Sequence, residues 1–298
     1  MPLIATADIV AAAAANDTAA LAFNAITLEH AEGIAEGAER AGAAVLIQIS
    51  ENTVRFHGGR LAPLAAACAQ IATQSSAMLA VHLDHVQDLA LLDDAIATAA
   101  DLGISSIMID AAHLPYADNV AQTRAFTERG HAAGLWMEAE LGEIGGKEHG
   151  PVGAHVAGAR TRPDEAAAFT AETGVDGLAV AVGSSHAMTT RDARLDLELI
   201  RELAENVPVP LVLHGSSGVP DDQLRAAVLA GIRKVNVGTA LNLAYTGAIR
   251  PVLEDPAVSD PRKYLVGARQ AIADSVAALC AAVASSAAPV GAGERERR

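Results

Sequence analysis

The chain has 298 residues and a formal charge of −15, from 21 basic and 36 acidic side chains. That balance disfavours a nucleic-acid surface, because neutralising phosphates takes clustered Lys and Arg. At 51% hydrophobic and 3% aromatic, the chain can bury a large core built from Ala, Val, Leu and Ile, without disulfide staples. Short β-rich runs fall at 20–24, 45–50, 79–85, 106–110, 136–142, 177–183, 210–215 and 234–239. Between them lie Ala-rich amphipathic stretches, including 61–74, 88–102, 116–133, 191–205 and 221–230. Strand and helix in alternation predict parallel pairing, and eight strands close a barrel.

The expected fold is therefore a single-domain α/β (β/α)8 TIM barrel, which commonly takes about 250 residues. It should span 1–284, with 285–298, SSAAPVGAGERERR, as a flexible tail. The Gly-rich, polar segment from Gly142 to Gly158 is too broken for a helix and reads as a mobile loop over the site. An open doubly wound sheet is disfavoured by the missing Gly-rich fingerprint. Cys68 and Cys280 sit in apolar helical patterns and read as buried free thiols. The opening MPLIATADIVAAAAANDTAA has no basic segment before its apolar run, so no signal peptide is expected. With no uninterrupted apolar stretch of about 20 residues, the reading is a soluble cytoplasmic protein that engages no membrane.

Most of the runs end on a polar residue: Asn24, Ser50, Asp84 with His85, Asp110, Glu140, His214 and Asn236, with His186 just past the sixth. In a barrel those ends form one rim, where the chemistry gathers. A histidine taken singly is more often structural. Three at one rim, His85, His186 and His214, are too far apart in sequence for a local finger and suit an open catalytic metal site. Strand alternation sets Asp84 on the face opposite His85, so it reads as an acid/base or as a support for a ligand histidine, a role His82 could also fill. Glu138 and Glu140 share a face of the fifth run and need a partner once buried, either a metal or one of the few local cations. Glu148, in the loop, is a second candidate base or simply a solvated side chain. The small-residue turns HGSSG (214–218) and NVGT (236–239) could bind phosphate through backbone N–H groups, with hydroxyls from Ser217 and Thr239. Only Lys147, Lys234 and Lys263 are lysines, which makes a basic anion patch improbable and leaves no amine on the sixth run for a Schiff base.

The motifs VHLDH, SIMIDAAHLPYADNV, EAELGEIGGKE, GVDGLAVAVGSSH and LVLHGSSGVPDDQLRAAVLAGIRKVNVGT resemble, in order and register, those of the class II fructose- and tagatose-bisphosphate aldolases, most closely the compact class IIB group. The resemblance runs from LAFNAITLEH to DPRKYLVGARQAI. It implies Zn2+ on His85, His186 and His214, with Asp110 and Glu140 at an alternative metal position. It further implies that Asp84 hands a proton to the aldehyde oxygen, with Asn24 beside it, and that Glu148 exchanges a proton with dihydroxyacetone phosphate. Ser50, Gly183, Gly215, Ser216, Ser217, Asn236, Val237, Gly238 and Thr239 are the implied substrate and phosphate contacts, with a monovalent cation (Na+ or K+) near the phosphate. The implied partner is a small phosphorylated sugar, in a homodimer or homotetramer. The segment SENTVRFHGG and Ala187, Met188, Ser216, Gly238 and Ala240 depart from the better-known members, so the substrate stays open among fructose, tagatose and deoxy-keto acid phosphates. A different metal-dependent barrel lyase or hydrolase, and a noncatalytic aldolase-like subunit, are the competing readings.

Overall fold

A computed structural model describes residues 3–141, 160–184 and 190–284. The expected loop at 142–158, the tail at 285–298, Glu148 and His186 lie outside the described residues. Eight parallel strands close into one barrel in sequence order: β1 Ala20–Asn24, β2 Val45–Ser50, β3 Leu79–Val86, β4 Ile104–Ile109, β5 Trp136–Leu141, β6 Gly177–Val180, β7 Leu211–Leu213 and β8 Ile232–Val237. Helix α1, Thr6–Ala15, precedes the first strand. Helix α2, Leu28–Ala41, follows it, and α3, Glu51–Phe56, and α4, Ala62–Gln74, follow β2. Then come α5 Leu89–Leu102, α6 Tyr116–Ala132, α7 Pro163–Thr173, α8 Leu197–Asn206 and α9 Asp221–Ala230, each returning the chain to the next strand. After β8 come α10, Thr239–Val252, and α11, Arg262–Ala284.

The strands alternate between two environments, as a closed sheet requires. Outward residues such as Ile47, Leu83, Ile107, Met137, Leu178 and Val235 pack under the helices in one continuous apolar shell. Inward residues stack in layers. The lowest, Ala20, Ala22, Leu46, Ala80, Trp136, Ala179 and Val212, is apolar and is plugged by Ile9, Val10 and Ala13 of α1. Above it the barrel is polar: Gln48, His82, Ser106, Glu138 and Lys234 are all buried. Both cysteines are buried free thiols, pushed up to about 12 by loss of solvent around the thiolate.

Several ends differ from the sequence expectation for local reasons. The strand expected over 177–183 stops at Val180 because the Ala181 backbone turns to Thr161, accepting from its N–H at 3.0 Å and donating to its hydroxyl at 2.8 Å. The helix expected from 191 begins at Leu197, where the Asp196 carboxylate accepts from the Leu199 N–H at 3.1 Å and satisfies one of the open donors of the first turn. The run at 210–215 is a strand only over Leu211–Leu213, because Gly215 adopts a left-handed φ of 66°. By length and composition α11 is apolar enough to cross a membrane, but it lies on the barrel with Ala268, Ile272, Ala273, Val276, Cys280 and Val283 buried.

Candidate active site

Asp84, His85 and His214 meet at the C-terminal rim with their ligand atoms all within 4.8 Å of one another. Strand alternation would have separated Asp84 from His85, and that expectation fails. The β3–β4 register slips between Leu83 and Val86, and His85 takes a positive φ of 50°. The irregularity brings both side chains to one centre. A non-glycine residue held there costs roughly 1–3 kcal/mol, which the surrounding fold must offset, and such strain concentrates at functional sites. The Asp110 Oδ2 atom lies 3.1 Å from His85 Nδ1 and accepts from Gln87 Nε2 at 3.2 Å.

His214 is fully buried and engages a carboxylate at each ring nitrogen: Nε2 lies 3.0 Å from Glu138 Oε1 and Nδ1 lies 3.1 Å from Glu140 Oε2. Burial works against its imidazolium, but the two carboxylates overcome this and raise the group to about 9. One of the two partners anticipated for Glu138, a local cation, is present. Lys234, fully buried, brings Nζ within 2.8 Å of Glu138 Oε2. Burial disfavours the Glu138 carboxylate, yet Lys234 and His214 hold it well below the usual carboxylate range. The same ion pair occupies the Lys234 amine.

Asp84 is held from two sides. Asn236 Nδ2 donates to Oδ1 at 3.2 Å and Gln48 Nε2 approaches Oδ2 at 3.4 Å. Gln48 also donates to Asn24 Oδ1, which places Asn24 one hydrogen bond from Asp84. His82 Nε2 lies 3.9 Å from Asp84 Oδ1, and its Nδ1 lies 2.8 Å from the Ser106 hydroxyl. Desolvation, with Lys234 nearby, pushes His82 down to about 3, so its ring is neutral. Gln48 and Lys234 were absent from the sequence-derived site. The signal available for both was parity, since each stands two residues before a rim residue on the inward face of its strand.

The turns after β7 and β8 are tied together. Ser216 Oγ donates to the Asn236 carbonyl at 2.5 Å, and Ser217 Oγ accepts from the Ala240 N–H at 3.0 Å. Gly238, after Val237, packs against Asn24, and Thr239 opens α10, whose first turn meets the turn after Gly215 through the Ala240–Ser217 bond. Gly183, beyond β6, has no room for a side chain: a Cβ there would stand 2.6 Å from the Arg194 carbonyl oxygen. Ser50 caps α3, accepting from the Thr53 N–H at 3.3 Å.

A profile of the class-II fructose-bisphosphate aldolases matches residues 4–288. The chain belongs to that family. Among solved structures, the YdjI aldolase from Escherichia coli K12 is similar at 26% identity and a TM-score of 0.79, over 95% of this chain and 98% of that one. The fructose-bisphosphate aldolase of Campylobacter jejuni shares the fold at 20% identity and a TM-score of 0.78, over 93% of each chain. As a class II aldolase the chain is a lyase by family, and the two imidazoles and one carboxylate at its rim are donors of the kind zinc accepts.

Proposed function

We propose that this class II aldolase is zinc-dependent and reversibly cleaves a ketose bisphosphate, fructose 1,6-bisphosphate or tagatose 1,6-bisphosphate, to dihydroxyacetone phosphate and an aldehyde such as glyceraldehyde 3-phosphate. The convergence of His85, His214 and Asp84 within 4.8 Å at the barrel rim carries the reading. His85 and His214, with His186 as the expected third imidazole, would hold the metal. Bound zinc would supply a Lewis acid for the negative charge left on the three-carbon fragment when the C3–C4 bond breaks. Asp84, steadied by Gln48 and Asn236, takes the proton of the C4 hydroxyl in cleavage and returns it to the aldehyde oxygen in condensation. Glu148 serves the carbon end of the same exchange. The linked turns at Gly215–Ser217 and Gly238–Thr239 offer backbone N–H groups to the phosphate, with Na+ or K+ nearby. We place the enzyme in the cytoplasm as a homodimer or homotetramer; the half-exposed Leu243 of α10, Leu253 just past its end and Val266 of α11 support the oligomer.

The test is release of dihydroxyacetone phosphate from each sugar, followed with a coupled dehydrogenase, before and after a chelator and again with zinc restored. Release lost to chelator and recovered with zinc is the expected result. No release from either sugar by a zinc-loaded chain would overturn the substrate assignment.

A further inference from the structure

We propose that Lys234 is a positioning residue that couples the metal side of the site to its proton-transfer side. The inference rests on the aldolase reading above. Lys234 is fully buried, and its ammonium has two neighbours: Glu138 Oε2 at 2.8 Å and Asn236 Oδ1 at 2.7 Å. Each passes the constraint on. Glu138 turns its other oxygen to His214 Nε2 at 3.0 Å, and Asn236 turns its amide nitrogen to Asp84 Oδ1 at 3.2 Å.

The chemistry of the two partners makes the cation directional. An Asn amide is nearly symmetric in shape, so either end could face Asp84. An ammonium only donates; it captures the Asn236 oxygen and leaves the NH2 for the Asp84 carboxylate. Without the cation, a flipped amide would set oxygen against oxygen. On the other branch, the ammonium fixes one Glu138 oxygen and so fixes the direction from which the other meets the His214 ring. Groups of this kind, one bond behind a metal ligand, orient the ligand and tune its affinity. A buried ion pair is a poor source of stability compared with well-packed apolar side chains, so packing alone does not account for a lysine at this position.

The experiment uses the full chain, stripped of metal and titrated with zinc against a chromophoric chelator, beside kcat and KM for cleavage. Lys234→Met is expected to weaken zinc binding by about 10- to 100-fold and to lower kcat more than KM. Adding Glu138→Gln to it should cost no further zinc affinity, and adding Asn236→Ala no further kcat, because each branch is already cut. Lys234→Arg, which keeps the cation, should recover part of both losses. Wild-type zinc affinity and kcat in a folded Lys234→Met chain would overturn the inference, as would losses that add in full. If Lys234→Met does not fold, the pair Glu138→Gln and Asn236→Ala, which leaves the cation in place, decides the matter: non-additive effects on zinc affinity support the coupling, and additive effects overturn it. A wild-type chain that binds no zinc fails the aldolase reading itself; one that binds zinc and cleaves, while its Lys234 variants match it, fails this inference alone.

Discussion

His214 shows how much one side chain's surroundings decide. Both ring nitrogens face carboxylates, and the ring, raised to about 9, carries a proton at neutral pH when no metal is present. Zinc takes imidazole in its deprotonated form, so binding must expel that proton. Below the raised value each unit of pH should weaken apparent zinc affinity about tenfold per proton released; affinity should rise from pH 7 to 9, and a flat profile would contradict the protonated ring. His214→Ala should abolish tight zinc binding and cleavage together. Asp84→Ala should keep zinc and lose about a hundredfold or more in kcat, the usual scale for an acid/base; loss of zinc instead would make Asp84 a ligand. The rim residues were legible in the sequence because barrels gather strand ends whatever their spacing. The Asp84–His85 pair was not, because alternation presumes a regular strand and the slip after Leu83 leaves no mark in composition. Nor was the Lys234–Glu138 pair, whose members stand on strands that are not neighbours in the sheet.

At the scale of elements, all eight strands were readable from their short apolar runs, and errors fell at the ends, where a single hydrogen bond such as that of Asp196 or Thr161 decides the boundary. The contact between α2 and α11 was not readable, since it depends on what small residues allow across a long gap in sequence. Gly33 and Gly37 lie one turn apart on α2, and a Cβ on Gly37 would stand 2.6 Å from both the Ala273 carbonyl oxygen and Val276 Cβ. Backbones this close leave no room for a side chain. Gly37→Val should therefore push α2 from α11 and destabilise the fold by about 1–3 kcal/mol, the usual cost of overpacking, seen as a lower melting temperature. Unchanged melting would mean that the two helices can slide apart freely.

For the whole molecule, the polar layer works as a clamp across the barrel. β3 and β7, which bring Asp84, His85 and His214 together, stand four strands apart in a closed ring of eight, so they face each other across the interior. Between them run Glu138 from β5, Lys234 and Asn236 from β8, and Gln48 from β2. This network is held by hydrogen bonds and by the buried Lys234–Glu138 ion pair. A zinc ion bound to both walls would add a link that exists only when the barrel is closed, because the unfolded chain keeps these ligands far apart. Ligand that binds the folded state alone stabilises it by RT ln(1 + [L]/Kd), about 2.7 kcal/mol at a hundredfold excess over Kd. For a domain this large, that is a rise of about 4 °C in melting temperature. The rise should vanish on chelation, while far-ultraviolet circular dichroism stays unchanged, and it should be missing in His214→Ala. A zinc-dependent rise that persists in His214→Ala would place the ion elsewhere on the protein and detach the metal from the rim.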